Sequence, residues 1–329
     1  MKRTLFLLTL GLAVLTLGGC SLPLLENPTP LPTFIVLPSS PPLSATPTMT
    51  AFSTPSLPTA TPGVAPTATS SGVVPTATDG GSLPASPSGP YGVIRVAAGD
   101  VLNIRSNPGA GSPVSGSFSA ADTTVIRTGP SSKVGEDLWV QVQNPGGTSG
   151  WVNAAYLTEY VTPANFCADA RVNALLANFA NALKTSNGGT VSALVSPAHG
   201  MTVRLWRDGN AFIFDQAHAQ WIFVSTYEHN WGAAPGSGLD TIGAIHVVVL
   251  PKWLDVLNAS YTLGCNIPQA GGASYATAWP ATYANVNFYS LYKPGPAGNE
   301  LSWRTLLIGV EYVQGQPYIF SVTQMDWEP

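Results

Sequence analysis

The chain has 329 residues, of which only 9% are charged, and 13 Lys and Arg against 17 Asp and Glu give a formal net charge of -4. No basic face can be assembled from so few cations to neutralise a phosphate backbone, which argues against nucleic acid as a partner. A hydrophobic content of 45% raises the question of membrane spans, yet beyond residue 20 no apolar run approaches the ~20 residues that a spanning helix needs.

In chain order, the first element is a leader. Lys2 and Arg3 precede an apolar run from Leu5 to Leu17, followed by Gly18, Gly19 and Cys20. A basic start, a short apolar core and small residues before a cut site make a secretory signal. The ending Leu17-Gly18-Gly19-Cys20 resembles the lipobox of bacterial lipoproteins, which implies a signal peptide over 1–19 and a diacylglyceryl group on Cys20. The expectation is therefore an extracytoplasmic chain, at the cell surface or in the periplasm, whose partner is the cell membrane through that lipid. Two acyl chains anchor stably where one does not.

Residues 20–90 follow Cys20 with Pro, Thr, Ser and Ala, carrying Glu26 and Asp79 as their only charges. This composition cannot bury enough apolar surface to offset its ordering entropy, so it reads as a disordered stalk. In polyproline geometry its ~70 residues would reach about 200 Å. With Cys20 lipidated, Cys167 and Cys265 remain as an even pair in a compartment where disulfides persist, and are expected to be bridged.

Over 91–160 short apolar alternations broken by Gly, Asn and Pro predict a small all-β module. Strands are expected at Val93 to Val96, Val101 to Arg105, Val114 to Phe118, Thr123 to Arg127, Leu138 to Val142 and Gly150 to Val152, with a long loop over Thr128 to Asp137. Three words stand in order: Leu102-Asn103-Ile104-Arg105-Ser106-Asn107-Pro108, Leu138-Trp139-Val140-Gln141-Val142 and Gly150-Trp151-Val152-Asn153-Ala154-Ala155-Tyr156-Leu157. They resemble the bacterial SH3 (SH3b) family, which opens on L-N-[VI]-R-S-x-P and closes on G-W-V-x-x-x-Y-L. The resemblance implies a partly open β-barrel that in many members binds peptidoglycan or peptides outside the cell. Carried over by position, Leu102, Ile104, Val140 and Val152 become core, and Asn103, Arg105, Trp139, Trp151 and Tyr156 become candidates for a ligand groove.

Residues 161–329 open on a helix, with Val172, Leu175, Leu176, Phe179 and Leu183 on one stripe and Asn187-Gly188-Gly189 as its stop. A short helical turn is expected over Thr190 to Val195 and another helix over Lys252 to Leu257. Strands are expected at Met201 to Trp206, Ala211 to Phe214, Ala244 to Val249, Asn285 to Tyr292, Thr305 to Tyr312 and Tyr318 to Met325. The fold class is thus multidomain: an all-β SH3b barrel, then an α+β domain with its leading helix on a curved, mostly antiparallel sheet. In element order that domain is similar to the cystatin-like and NTF2-like superfamily. Trp231 and Trp279, in Gly- and Pro-rich stretches, are its candidate pocket-rim residues.

Chemistry is sparse. No His-Glu-x-x-His, no other close histidine pair with a carboxylate and no Gly-x-Ser-x-Gly are present, so no metal site or cofactor is read. A cysteine peptidase would have to pair Cys265 with His246, and Asp215 with His218 reads as a surface pair. The reading is a non-enzymatic envelope-binding protein; a wall hydrolase targeted by its SH3b module, or a structural adaptor, are the alternatives. Oligomeric state is not legible.

Overall fold

The computed structural model describes residues 89–143, 146–272 and 275–329; the leader, Cys20 and the stalk lie outside the described residues. The first module contains β1 (Tyr91–Val93), β2 (Val101–Arg105), β3 (Val114–Ser119), β4 (Ile126–Val134), β5 (Asp137–Gln143), β6 (Ser149–Asn153), a single 3-10 turn (Ala154–Tyr156) and β7 (Leu157–Glu159). Five of these strands make one sheet in the order β3-β2-β6-β5-β4, and β1 pairs with β7. Alternation does the work: Leu102, Ile104, Val140, Val142 and Val152 point inward and pack with Phe118, Val125 and Leu157. The four residues expected in the core are all buried.

The loop expected over Thr128 to Asp137 is largely strand. β4 runs on to Val134, Lys133 pairs with Leu138, and a tight turn at Gly135 (φ 62°) leads straight into β5. Its Ser and Gly hide the strand from any hydrophobic pattern. β7 also carried no turn signal of its own.

The second module begins with α1 (Pro163–Ala168), α2 (Ala170–Lys184) and α3 (Gly188–Leu194). Asp169 caps α2, accepts from Arg171 N at 2.9 Å, and is held at a pKa of about 2, mainly by its hydrogen bonds from the Arg171 side chain. The stop of α2 is displaced from the glycines. Ser186 takes the left-handed conformation (φ 51°), and Asn187 starts α3, its Oδ1 accepting from Thr190 N at 2.9 Å.

Next come β8 (Met201–Arg204), β9 (Ala211–Phe214), α4 (Gln216–Ala219), β10 (Glu228–Ala233), β11 (Asp240–Ala244), α5 (Ile245–Val248) and α6 (Leu250–Leu257). The strand expected over Ala244 to Val249 is a correction: the strand ends at Ala244 and helix follows. Burial decides it, because Ile245, Val249, Leu250 and Trp253 are all buried at helical spacing while Val247 is exposed. The chain finishes with β12 (Thr262–Cys265), β13 (Asn287–Lys293), β14 (Arg304–Val313) and β15 (Gln316–Asp326).

A six-stranded sheet has the order β12-β13-β14-β15-β8-β9, and β10 and β11 form a separate hairpin. All neighbours in the large sheet are antiparallel except β15 and β8. One face packs on α2 and α6, with Leu306, Ile308 and Val310 against Phe179 and Trp253 in a common core. The other face carries Phe288, Leu307 and Met325 with Trp303. Beside them Val286 and Phe320 pack on Ile94 of the first module. β14 is therefore buried on both faces, as its continuous apolar text requires.

The first module closes onto the second along this seam. Asn285 Nδ2 donates to Val93 O at 2.8 Å and to Asp122 O at 3.0 Å, and Arg95 N donates to Thr282 O at 2.7 Å. Gly92 makes the approach possible, since a Cβ there would lie 2.7 Å from Asn285 Cβ. A Cys167–Cys265 disulfide joins α1 to the end of β12, with Cα atoms 5.9 Å apart.

Two outcomes are expected. The unreduced protein takes up no alkylating reagent at Cys167 or Cys265, and Cys167→Ser with Cys265→Ser lowers the urea-unfolding free energy by about 4.7 kcal/mol, the loop-entropy value for a closure of this length. Gly92→Ala costs about 1 to 3 kcal/mol by overpacking and speeds hydrogen exchange at the Arg95 amide, leaving the β5–β6 amides protected.

Candidate functional site

Two concave regions concern the first module. On its outer side, β2, β5, the 3-10 turn and the segment after β1 enclose a groove of about 540 Å³. Asn103 and Arg105 come from β2, Trp139 from β5 and Tyr156 from the turn, so four of the five candidates read from sequence line one groove. Trp151 does not; it lies on β6 opposite Arg105 and Gln141.

Each side chain is placed by its local structure. Tyr156 ends a turn capped by Asn153, whose Oδ1 accepts from Ala155 N at 2.9 Å, and the residue is 38% exposed. Arg105 Nη1 donates to Ser112 O at 2.7 Å, bracing the β2–β3 turn while its side chain borders the groove. Trp139 is only 4% exposed, and its buried Nε1 has no hydrogen-bond partner among the described residues. It forms the groove's floor rather than a reaching arm.

Two groups were missed in the sequence. Arg95 stands in the left-handed region (φ 61°), with its guanidinium 5.4 Å from the Phe320 ring centroid and donating to His199 O at 3.3 Å, and Asp100 lines the same groove. Neither belongs to the recurring words, so only a three-dimensional register could have found them. With Arg105 and Asp137 the groove offers both signs of charge around an aromatic floor. Such a lining suits a polar ligand with planar groups, such as a peptide or a sugar.

The second region lies at the seam, where Glu311 on β14 is 1% exposed at its side chain. Its carboxylate accepts from Ser196 Oγ, from Thr158 Oγ1 at 3.2 Å, and faces His199 Nδ1 at 2.6 Å. Thr158 is on β7 of the first module, and His199 Nε2 stands 3.4 Å from the Ala154 carbonyl of the same module. Ser196 Oγ also accepts from the backbone N–H of Ala198 and His199. The hydroxyl thus faces the carboxylate and not the imidazole.

Of the two expected rim residues, Trp231 is a correction. Trp231 is 0% exposed on β10, its Nε1 donating to Gly243 O at 2.9 Å. Trp279 stacks on Phe288 at 4.4 Å and donates to Tyr283 O at 2.7 Å. Trp231 is thus held in the core and forms no rim, whereas Trp279 is half-buried against its neighbours. Cys265 is in the disulfide, which removes the thiol that a pairing with His246 would need, and His246 Nδ1 contacts Ser225 O at 3.0 Å. Among the described residues no group of three His, Cys, Asp or Glu is placed to hold a metal ion.

With the geometry in place, the decisive comparison is a family match. Residues 100–158 match the bacterial SH3 domain. The match spans β2 to β7 and leaves out β1, although Tyr91 and Val93 of β1 pack in the same core. No curated protein and no solved structure matches the chain. Bacterial SH3 domains commonly bind cell-wall components.

Removal of the buried seam carboxylate tests its structural weight. Glu311→Ala leaves three polar partners unsatisfied and is expected to cost about 3 to 5 kcal/mol in chemical unfolding, whereas Glu300→Ala, on an exposed turn, is expected to stay within about 0.5 kcal/mol of the parent.

Proposed function

We propose that this chain is a non-enzymatic envelope-binding protein, anchored outside the cytoplasm by lipid on Cys20, whose bacterial SH3 domain holds peptidoglycan or an envelope peptide or glycan in the Asn103–Tyr156 groove. The convergence of Asn103, Arg105, Trp139 and Tyr156 on one cavity of a domain type that binds cell walls carries the reading. The Cys167–Cys265 bridge supports an oxidising compartment, in keeping with the leader and the lipobox. We read 161–329 as an α+β domain that supports the SH3 domain and presents no catalytic thiol.

Retention of the full chain on purified peptidoglycan measures this. The parent is expected to be retained without releasing soluble muropeptides. Tyr156→Ala and Asn103→Ala are each expected to weaken retention about tenfold, the effect of losing ~1.4 kcal/mol at a contact, and Trp221→Ala, exposed on another part of the chain, is expected to leave it unchanged. No retention of the parent, or release of muropeptides by it, overturns the reading.

A further inference from the structure

The seam holds a second cavity, of about 440 Å³, walled by both modules. That volume falls in the range of small-molecule sites. Leu138 and Leu157 on one side and Pro197 and Val313 on the other give it apolar walls. Its ionisable lining is one-sided: Glu136, Asp137, Glu159 and Glu311 stand against Arg127 and His199, so carboxylates remain in excess whichever form the imidazole takes.

The carboxylates are not equivalent. Glu136 and Asp137 are exposed and sit at the β4–β5 turn. Glu311 is consumed by Ser196, Thr158 and His199. Glu159 is half used, with Oε1 accepting from Gln314 N at 2.6 Å and Oε2 from Gly315 N at 2.8 Å. An ionised carboxylate has about four lone-pair sites, so each oxygen keeps capacity for a further donor. Burial, with the Glu311 charge adding to it, pushes the Glu159 carboxyl up against the opposing pull of the Gly315 and Gln314 N–H groups and of the Arg127 charge, which offsets the burial only in part. A cation beside it would relieve that cost.

We propose that this cavity binds a small organic cation, a primary ammonium on a compact apolar body, with the ammonium on Glu159 and the body against Leu138, Leu157 and Val313. Charge complementarity selects the ammonium, and the apolar walls select what it is attached to. An ammonium carries three donors and no acceptor, which fits the two Glu159 oxygens. The site uses other residues than Asn103, Arg105 and Tyr156, so it stands whether or not the outer groove binds peptidoglycan.

Calorimetric titration of the purified full chain at pH 7 with n-hexylamine, 1-hexanol and hexanoate tests it. Hexylammonium is expected to bind at least about tenfold more tightly than hexanol, and hexanoate more weakly than either. Glu159→Gln keeps an acceptor for the turn N–H groups and is expected to bring hexylammonium down to the hexanol level while leaving hexanol unchanged. Ala155→Leu, which fills the cavity from the SH3 side, is expected to abolish both while keeping the circular dichroism spectrum and cooperative unfolding of the parent as a check on folding. Equal affinity for the three probes, an unchanged hexylammonium affinity in Glu159→Gln, or undiminished binding in Ala155→Leu overturns the proposal.

Discussion

A carboxylate buried between two modules constrains this structure more than any other single group. Glu311 has lost nearly all contact with water, and taking an ion out of water costs several kcal/mol unless hydrogen bonds replace the hydration shell. The replacement comes from three directions: Ser196 before β8, His199 three residues on, and Thr158 on β7. Those groups belong to both modules, so the position of the SH3 domain is tied to satisfaction of a charge on the central strand of its neighbour. His199 extends the tie by reaching the Ala154 carbonyl. Only one relative placement of β7, β14 and the 196–199 segment meets all these demands together.

Apolar burial acts in the same direction. Val286 and Phe320 lie on the sheet face away from α2, and Ile94 of the SH3 module packs on them. Without that module the sheet would show water a hydrophobic patch, so the first module completes the second's core as well as carrying its own. The β14–β15 turn joins the arrangement, with Gln314 (φ 54°) and Gly315 (φ 71°) both left-handed in a two-residue hairpin. A glutamine is an uncommon choice there, and the Glu159 carboxylate that receives both turn N–H groups helps to hold it.

Periodicity made much of this legible and then failed for definable reasons. The α2 stripe and β2, β9, β13, β14 and β15 could be located because their buried positions recur at a fixed spacing. β10 and the latter part of β4 escaped because Asn, Gly and Ser interrupt their apolar pattern, and α5 escaped because Ile245-His246-Val247-Val248-Val249 has strand-like composition but packs at helical spacing. The groove was readable because its residues sit in words that recur across a family. The seam was not: Ser196, His199 and Glu311 are far apart in sequence, and a glutamate inside Gly309-Val310-Glu311-Tyr312 looks like any solvent-facing residue until a second module is laid over it.

The two cavities share a wall, and the construction of that wall decides what it can transmit. Asp137 and Asn153 border both the outer groove and the seam cavity. Between them the 3-10 turn sends Tyr156 to one side and Ala154 to the other, with the Asn153 cap at its start and Leu157 N donating to Ala154 O at its end. A ligand shifts an equilibrium only by its differential affinity for two states, and a second state here would require giving up the cap, the closing hydrogen bond and the His199 contact together. The turn therefore acts as a spacer that fixes Tyr156 against the seam, presenting the groove in one preorganised shape, and the affinity of a preorganised site is not reduced by the cost of ordering it on binding.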